Sequence, residues 1–269
     1  FIKRCAFAVF PGHLVSYLCS GCKGSELDSL WVSEHTLLAD FYQPRRVYRS
    51  KLGNTHSLSL SLSAPYRVFP MLATSALGVP GVCVYKWDSG TLTPQATLDH
   101  WGDSGATDVS INCNNQVVAT ASEMGEIVLA LPETCGPSKP GRPLYSFTPL
   151  EDREVRSVCF DPSSRYIACG GEFEHVYIWD LKKKKKVREL KGHAPNGSVA
   201  CVQYSSDGHL IASGGSGGAV LVHSVRERHV ACRLTRGVVP GGASHLAPVG
   251  HLQFSALKPG VIGVAYGDG

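Results

Sequence analysis

The chain has 269 residues, of which 43% are hydrophobic and 18% charged, enough to bury a sizeable core as one large domain or two small ones. Its net charge of +4 arises in the first seventy residues, where eight Lys/Arg face four Asp/Glu; eighteen basic and eighteen acidic residues remain, a balance that argues against nucleic acid as a partner. No run approaches the roughly 20 apolar residues of a membrane helix, so no membrane partner is expected.

Twenty-nine glycines and 16 prolines separate short runs of Val, Ile, Ala and Tyr, which predicts an all-β protein. Residues 1–70 share no pattern with residues 71–269 and read as a non-repeat extension, either disordered or non-native, with Met71 as the expected natural start. The stretch CAFAVFPGHLVSYLCSGC imitates a secretory signal, but Pro11, Gly12 and His13 interrupt its apolar part. Cys19 and Cys22 form one Cys-x-x-Cys without the second ligand pair of a zinc site or the βαβ context of a redox motif. No metal and no cofactor are expected. Cys159, Cys169 and Cys201 lie among apolar strand residues and read as small buried thiols in a reducing compartment.

From Met71 onward the chain repeats itself. VCVYKWD (82–88) anticipates VYIWD, and TDVSINCNNQVVATASEMGEIVLALP (107–132) sets Val109, Ile111, Val118, Ala119 and Ile127 on the apolar positions of a template seen more clearly downstream. There, VRSVCFDPSSRYIACGGEFEHVYIWDL (155–181) and VACVQYSSDGHLIASGGSGGAVLVHSV (199–225) align at a shift of 44 without a gap. HLQFSALKPGVIGVAYGDG (251–269) restarts the pattern. Within each unit, two-residue alternation flanks the turns DPSSR and SSDG, which predicts four short strands in about 44 residues. One such sheet buries little by itself, so successive units must pack on one another around an axis.

Trp87-Asp88 and Trp179-Asp180 close their strands, and Gly192-His193 opens the next unit, as in WD repeats; the region 71–269 resembles a WD-repeat β-propeller. The blades around VYIWDLKKKKKVRELKGH, with His223-Ser224 where most repeats have Trp-Asp, are similar to the NEDD family of adaptors that target the γ-tubulin ring complex to centrosomes and spindles. The resemblance implies seven blades, whereas 199 residues hold roughly four and a half at 40–45 residues each. An incomplete propeller is therefore expected, its first repeat lacking partner strands. The set of His, Ser/Thr, turn Asp and Trp that often fastens a WD repeat is not expected around His193, because Gly217-Gly218 replace the Asp and His223 the Trp.

The family likeness implies a non-enzymatic adaptor in microtubule nucleation and spindle organisation. Its partners would be γ-tubulin ring complex components or microtubule-associated factors, and its place the cytoplasm, cytoskeleton and the centrosome or spindle pole of dividing cells. In that family a helical region after the propeller engages the γ-tubulin complex. Two alternatives stand beside this reading: a generic WD-repeat scaffold such as a ubiquitin-ligase substrate receptor, and a propeller enzyme. The enzyme finds least support, since Asp103-Ser104-Gly105 is no nucleophile elbow and GGSGG (214–218) lacks the Lys-Ser/Thr of a phosphate loop.

Lys182, Lys183, Lys184, Lys185 and Lys186 are placed in the turn between VYIWD and an outermost strand KVREL. As a solvated hairpin tip they need no partner; as a binding site, with Arg156 as a second contact residue, they would attract an acidic protein in a salt-dependent way. Tyr166, Tyr177 and Tyr204 occupy strand positions that suit core packing better than base stacking.

Overall fold

The computed structural model describes residues 4–10, 13–19, 32–33, 46–52, 56–62, 71–76, 82–88, 91–98, 105–132, 143–151, 153–195, 197–235, 247–255 and 260–266. Among the described residues the extended regular elements are strands. A first sheet comprises β1 (Arg4–Phe10), β2 (His13–Cys19) and β3 (Val32–Ser33). A five-stranded sheet follows in the order β4 (Arg46–Leu52), β5 (His56–Leu62), β6 (Met71–Ala76), β7 (Val82–Asp88) and β8 (Thr91–Leu98).

Three four-stranded antiparallel meanders then match the expected units. The first holds β9 (Ala106–Ile111), β10 (Val118–Ser122), β11 (Ile127–Ala130) and β12 (Tyr145–Phe147). The second holds β13 (Val155–Phe160), β14 (Tyr166–Gly171), β15 (Phe173–Asp180) and β16 (Lys185–Leu190). The third holds β17 (Val199–Tyr204), β18 (Leu210–Gly215), β19 (Ala219–Ser224) and β20 (Val230–Thr235). A final pair, β21 (Val249–Phe254) and β22 (Ile262–Tyr266), begins another unit.

Sequence likeness here is backbone likeness. The pairing of β13 with β14 slips between Val155 and Ser157, that of β17 with β18 between Val199 and Cys201, and that of β21 with β22 between Val249 and His251. Each slip follows a fully buried valine, so one bulge recurs at one place. The turns repeat too: Ser164 and Gly208, 44 apart, have φ of 59° and 73°, and Lys184 and Arg228, also 44 apart, have φ of 51° and 61°.

The glycine pairs explain themselves through close approach. A Cβ on Gly170 would lie 2.5 Å from Val199 Cγ1, and one on Gly214 would lie 2.4 Å from Val249 Cγ1. Each lets its sheet press against the inner strand of the following one. The second glycine faces backbone, since a Cβ on Gly171 or Gly215 would stand 2.0 Å from the Glu154 or Ser198 carbonyl oxygen.

The core lies between sheets. One cluster joins Ala119, Ile127 and Phe147 to Val158, Phe160 and Ile167; the next joins Val176, Ile178 and Leu190 to Val199, Val202 and Ile211. Burying one such Val or Ile is worth about 1.5–3 kcal/mol, so each unit depends on its neighbours for most of its stability. Cys159, Cys169 and Cys201 lie in these layers, and burial pushes the Cys169 thiol upward in pKa. Tyr177 and Tyr204 are likewise buried.

Two strands of the segment read as non-repeat join the first unit. β5 pairs with β6 across residue 70, and β5 lies against β9 as β9 lies against β13 and β13 against β17. It therefore takes the place of an inner strand, with β4 paired beyond it, and the first repeat does have partner strands, contrary to expectation. SLSLSLS alternates in the strand period, but it holds only serine and leucine and none of the Val, Phe or Tyr that mark the other inner strands, which hides the homology of position. Cys19 closes β2, while Cys22 falls outside the described residues. Among the described residues no helix is long and apolar enough to cross a membrane.

Candidate functional site

Polar side chains at the innermost strands join one sheet to the next. On β9, Asp108 accepts hydrogen bonds from the Val109 N–H and the Val158 N–H of β13, both at 2.9 Å, and Ser110 Oγ accepts from Phe160 N–H. On β13, Ser157 Oγ accepts from Val202 N–H of β17 at 3.1 Å. On β17, Gln203 Oε1 accepts from Phe254 N–H of β21 at 2.6 Å. Asp, Ser and Gln inside otherwise apolar strands are the only sequence signal for these joints, and they belong to none of the motifs that drew attention.

At Trp179-Asp180 the fastening is ionic. Asp180, at the end of β15, takes the Arg165 guanidinium on Oδ2 at 3.0 Å and the Lys183 N–H on Oδ1 at 2.9 Å. Burial raises the Asp180 pKa, but the Lys183 amide and Arg165 outweigh it and hold the carboxyl below its usual range. Trp179 packs on Phe147 of the preceding sheet, ring centroids 4.4 Å apart. Trp87 and Asp88 occupy the matching end of β7, paired with Leu92 and Thr91 of β8.

The next unit is fastened differently. His193 Nε2 and Ser213 Oγ are hydrogen-bonded at 2.8 Å, so half of the set that the sequence rules out does form, without an acidic member. Burial, together with His223, Arg233 and His175 nearby, pulls the His193 pKa from 6.5 down to about 4. His223, standing where Trp179 stands in the previous unit, is fully buried and donates Nε2–H to the Lys191 carbonyl at 2.9 Å. Its pKa is lowered by burial, partly opposed by that bond. Gly192 has φ of 134°, and a Cβ there would meet Val230 at 3.0 Å and Leu221 at 3.2 Å. Ser224 replaces Asp180 as turn cap, its Oγ accepting from Glu227 N–H at 3.2 Å.

The lysines span more than a turn. Residues 181–184 form it, whereas Lys185 and Lys186 already belong to β16, paired with Asp180 and Trp179. All five are exposed. Lys184 Nζ lies 5.0 Å from the Tyr145 ring centre and Lys186 Nζ 4.3 Å from that of Tyr177; Lys186 also pairs with Glu189. Arg156 is not brought to them. It sits in the bulge of β13 at the other end of the sheet, bonded to Glu154 at 2.9 Å and Glu172 at 2.8 Å.

The WD domain, G-beta repeat family matches residues 141–180 and 184–224, each match running from the outer strand of one sheet through the third strand of the next. Residues 141–180 and 184–224 are thus two WD repeats. The chain is similar to human NEDD1, with 29% identity over 184 residues, which is 68% of this chain and 26% of NEDD1; it thus spans about a quarter of that relative's length. A shorter likeness, 42% over 62 residues, links 23% of the chain to 8% of the anaphase-promoting complex subunit cdh1 of Dictyostelium discoideum. A chain in the crystal structure of the mitotic checkpoint complex shares the fold at a TM-score of 0.58 and 17% identity, over 73% of this chain and 55% of that one. The WD-repeat region is accordingly an all-β, propeller-like scaffold of four-stranded antiparallel blades.

Proposed function

We propose that this WD-repeat scaffold is a non-enzymatic adaptor in microtubule nucleation and mitotic spindle organisation that helps to localise the γ-tubulin ring complex. The observation that carries the reading is the likeness to NEDD1 over 68% of the chain, well beyond the two repeats that the family match covers. It agrees with the resemblance of the Trp179-Asp180 and His223-Ser224 blades to the adaptor family. Rigid, mutually packed sheets suit such work because they present many loops in fixed relation. The division into a non-repeat segment 1–70 and a repeat region 71–269 belongs to this proposal, with β4 and β5 reaching across it.

Proximity labelling from this protein in dividing cells tests the reading. Enrichment of γ-tubulin ring complex components at centrosomes or spindle poles is expected, and their absence would overturn it. The 42% likeness to an anaphase-promoting complex subunit supports a second reading, a substrate receptor of a ubiquitin ligase. It covers 23% of the chain and so ranks second; enrichment of ubiquitin-ligase subunits without γ-tubulin components would reverse that order.

A further inference from the structure

Charge that balances along the sequence is segregated in space. The β13–β14 and β15–β16 turns share one rim, where the Leu181 N–H reaches the Arg165 carbonyl. That rim exposes Lys182, Lys183, Lys184 and Lys185, and the corresponding β19–β20 turn adds exposed Arg226 and Arg228 at the positions of Lys182 and Lys184. The opposite rim, where the Glu172 N–H bonds the Glu154 carbonyl, carries Glu123, Glu151, Glu154 and Glu172 against Arg153 and Arg156.

We propose that the basic rim, spanning two neighbouring blades, docks an acidic extended segment of a partner protein. The charges sit on ordered turns: Asp180 caps one through Lys183 N–H and Ser224 caps the other through Glu227 N–H. Arg188 of β16 donates to the Val225 carbonyl, which fixes the two turns against each other. Groups held in place lose less freedom on binding than mobile ones. The local carboxylates have partners of their own: Asp161 accepts from Ser163 N–H and Tyr166 N–H, Asp207 from Ser205 Oγ–H and His209 N–H, Asp180 holds Arg165, Glu189 lies beside Lys186, Lys191 and His175, and Glu227 beside His229. Among the described residues no carboxylate lies within ion-pair distance of Lys182, Lys183, Lys184 or Lys185.

A protein segment fits better than single-stranded nucleic acid. Base stacking needs open aromatic faces beside the cations. Here Lys184 already lies over the Tyr145 ring and Lys186 over that of the buried Tyr177. The surface rests on the scaffold reading and not on the γ-tubulin assignment, and its test contains no γ-tubulin component.

Fluorescence anisotropy of the 269-residue chain with a labelled Glu-rich peptide, its Gln-substituted counterpart and a single-stranded DNA oligomer of equal charge is decisive. The Glu peptide binds, more weakly as salt rises, and the Gln peptide does not. K182S/K183S/K185S weakens binding by about tenfold, R226S/R228S by several-fold, and K182R/K183R/K185R restores it, as electrostatic docking requires. Arg153→Ser on the opposite rim leaves affinity unchanged. The proposal fails if the Glu peptide does not bind at low salt, if Arg153→Ser weakens binding as much as the lysine changes, or if DNA binds more tightly than the peptide. Circular dichroism melts of each variant keep loss of fold distinct from loss of binding.

Discussion

The units ending in Trp179-Asp180 and in His223-Ser224 share a backbone and differ in what fastens it. Both have the bulge after a buried valine, the glycine pair against a carbonyl, and the left-handed residue in the outer turn. One is held by Asp180 and Arg165 with an aromatic contact from Trp179; the other by a neutral pair, His193 and Ser213, and by His223 on a backbone carbonyl. The difference teaches that steric and backbone constraints define the blade, while the polar set that gives the family its name is one of several ways to fasten it.

If so, changes to the shared backbone should be severe and equal in the two units. Gly171→Ala and Gly215→Ala each force a methyl against a carbonyl oxygen 2.0 Å away and should each cost more than about 3 kcal/mol in urea unfolding. Tolerance of either one would break the equivalence.

Acid should separate the two units. His193 is held near a pKa of about 4 in the folded chain against 6.5 when unfolded, so the unfolded state binds the extra proton first. Stability present above pH 6.5 is then lost as pH falls towards 4, by up to about 3 kcal/mol for this one group. His193→Asn should flatten that part of the stability–pH curve, measured by urea melts at successive pH values; an unchanged slope would remove His193 as its source.

The joints between sheets should rank by what they leave unpaired. Asp108→Ala strips the acceptor from two amides and should cost about 2 kcal/mol, whereas Ser157→Ala strips it from one and should cost about 1 kcal/mol. Equal costs would mean that water replaces the carboxylate on β9. The smallest effect is expected at Ser224→Ala, about 0.5–1 kcal/mol for a lost cap. Asp180→Ala, which also releases Arg165, should lower the thermal midpoint further than Ser224→Ala does.

Much of this fold is legible in the sequence, for specific reasons. The gapless shift of 44 locates four strands in each of two units, because alternation of buried residues and turn chemistry are local properties. The inner strand His56–Leu62 escapes such reading because a run of only serine and leucine lacks the Val and aromatic residues of the other inner strands, and its place is defined by its neighbours. Lys185 and Lys186 look like turn residues because charge suggests solvent, yet an outer strand satisfies its backbone while its side chains stay exposed. His193 and Ser213, twenty residues apart, lack their usual companions, but a hydrogen bond needs only the two of them. Arg156 resembles the lysines in charge alone, and its carboxylate partners lie at the far rim.

Three inner-strand joints share one direction: Asp108, Ser157 and Gln203 each offer a side-chain acceptor forward, and the next sheet answers with a main-chain amide that every non-proline residue possesses, while Thr107 Oγ1 also reaches forward to donate to the Val155 carbonyl. For these bonds a unit therefore carries its own connector and asks only a main-chain amide of its successor. A gene segment encoding such a unit can be duplicated, lost or allowed to drift in its surface turns while the junctions remain compatible, which fits neighbouring blades as unlike as those ending in Trp179-Asp180 and His223-Ser224.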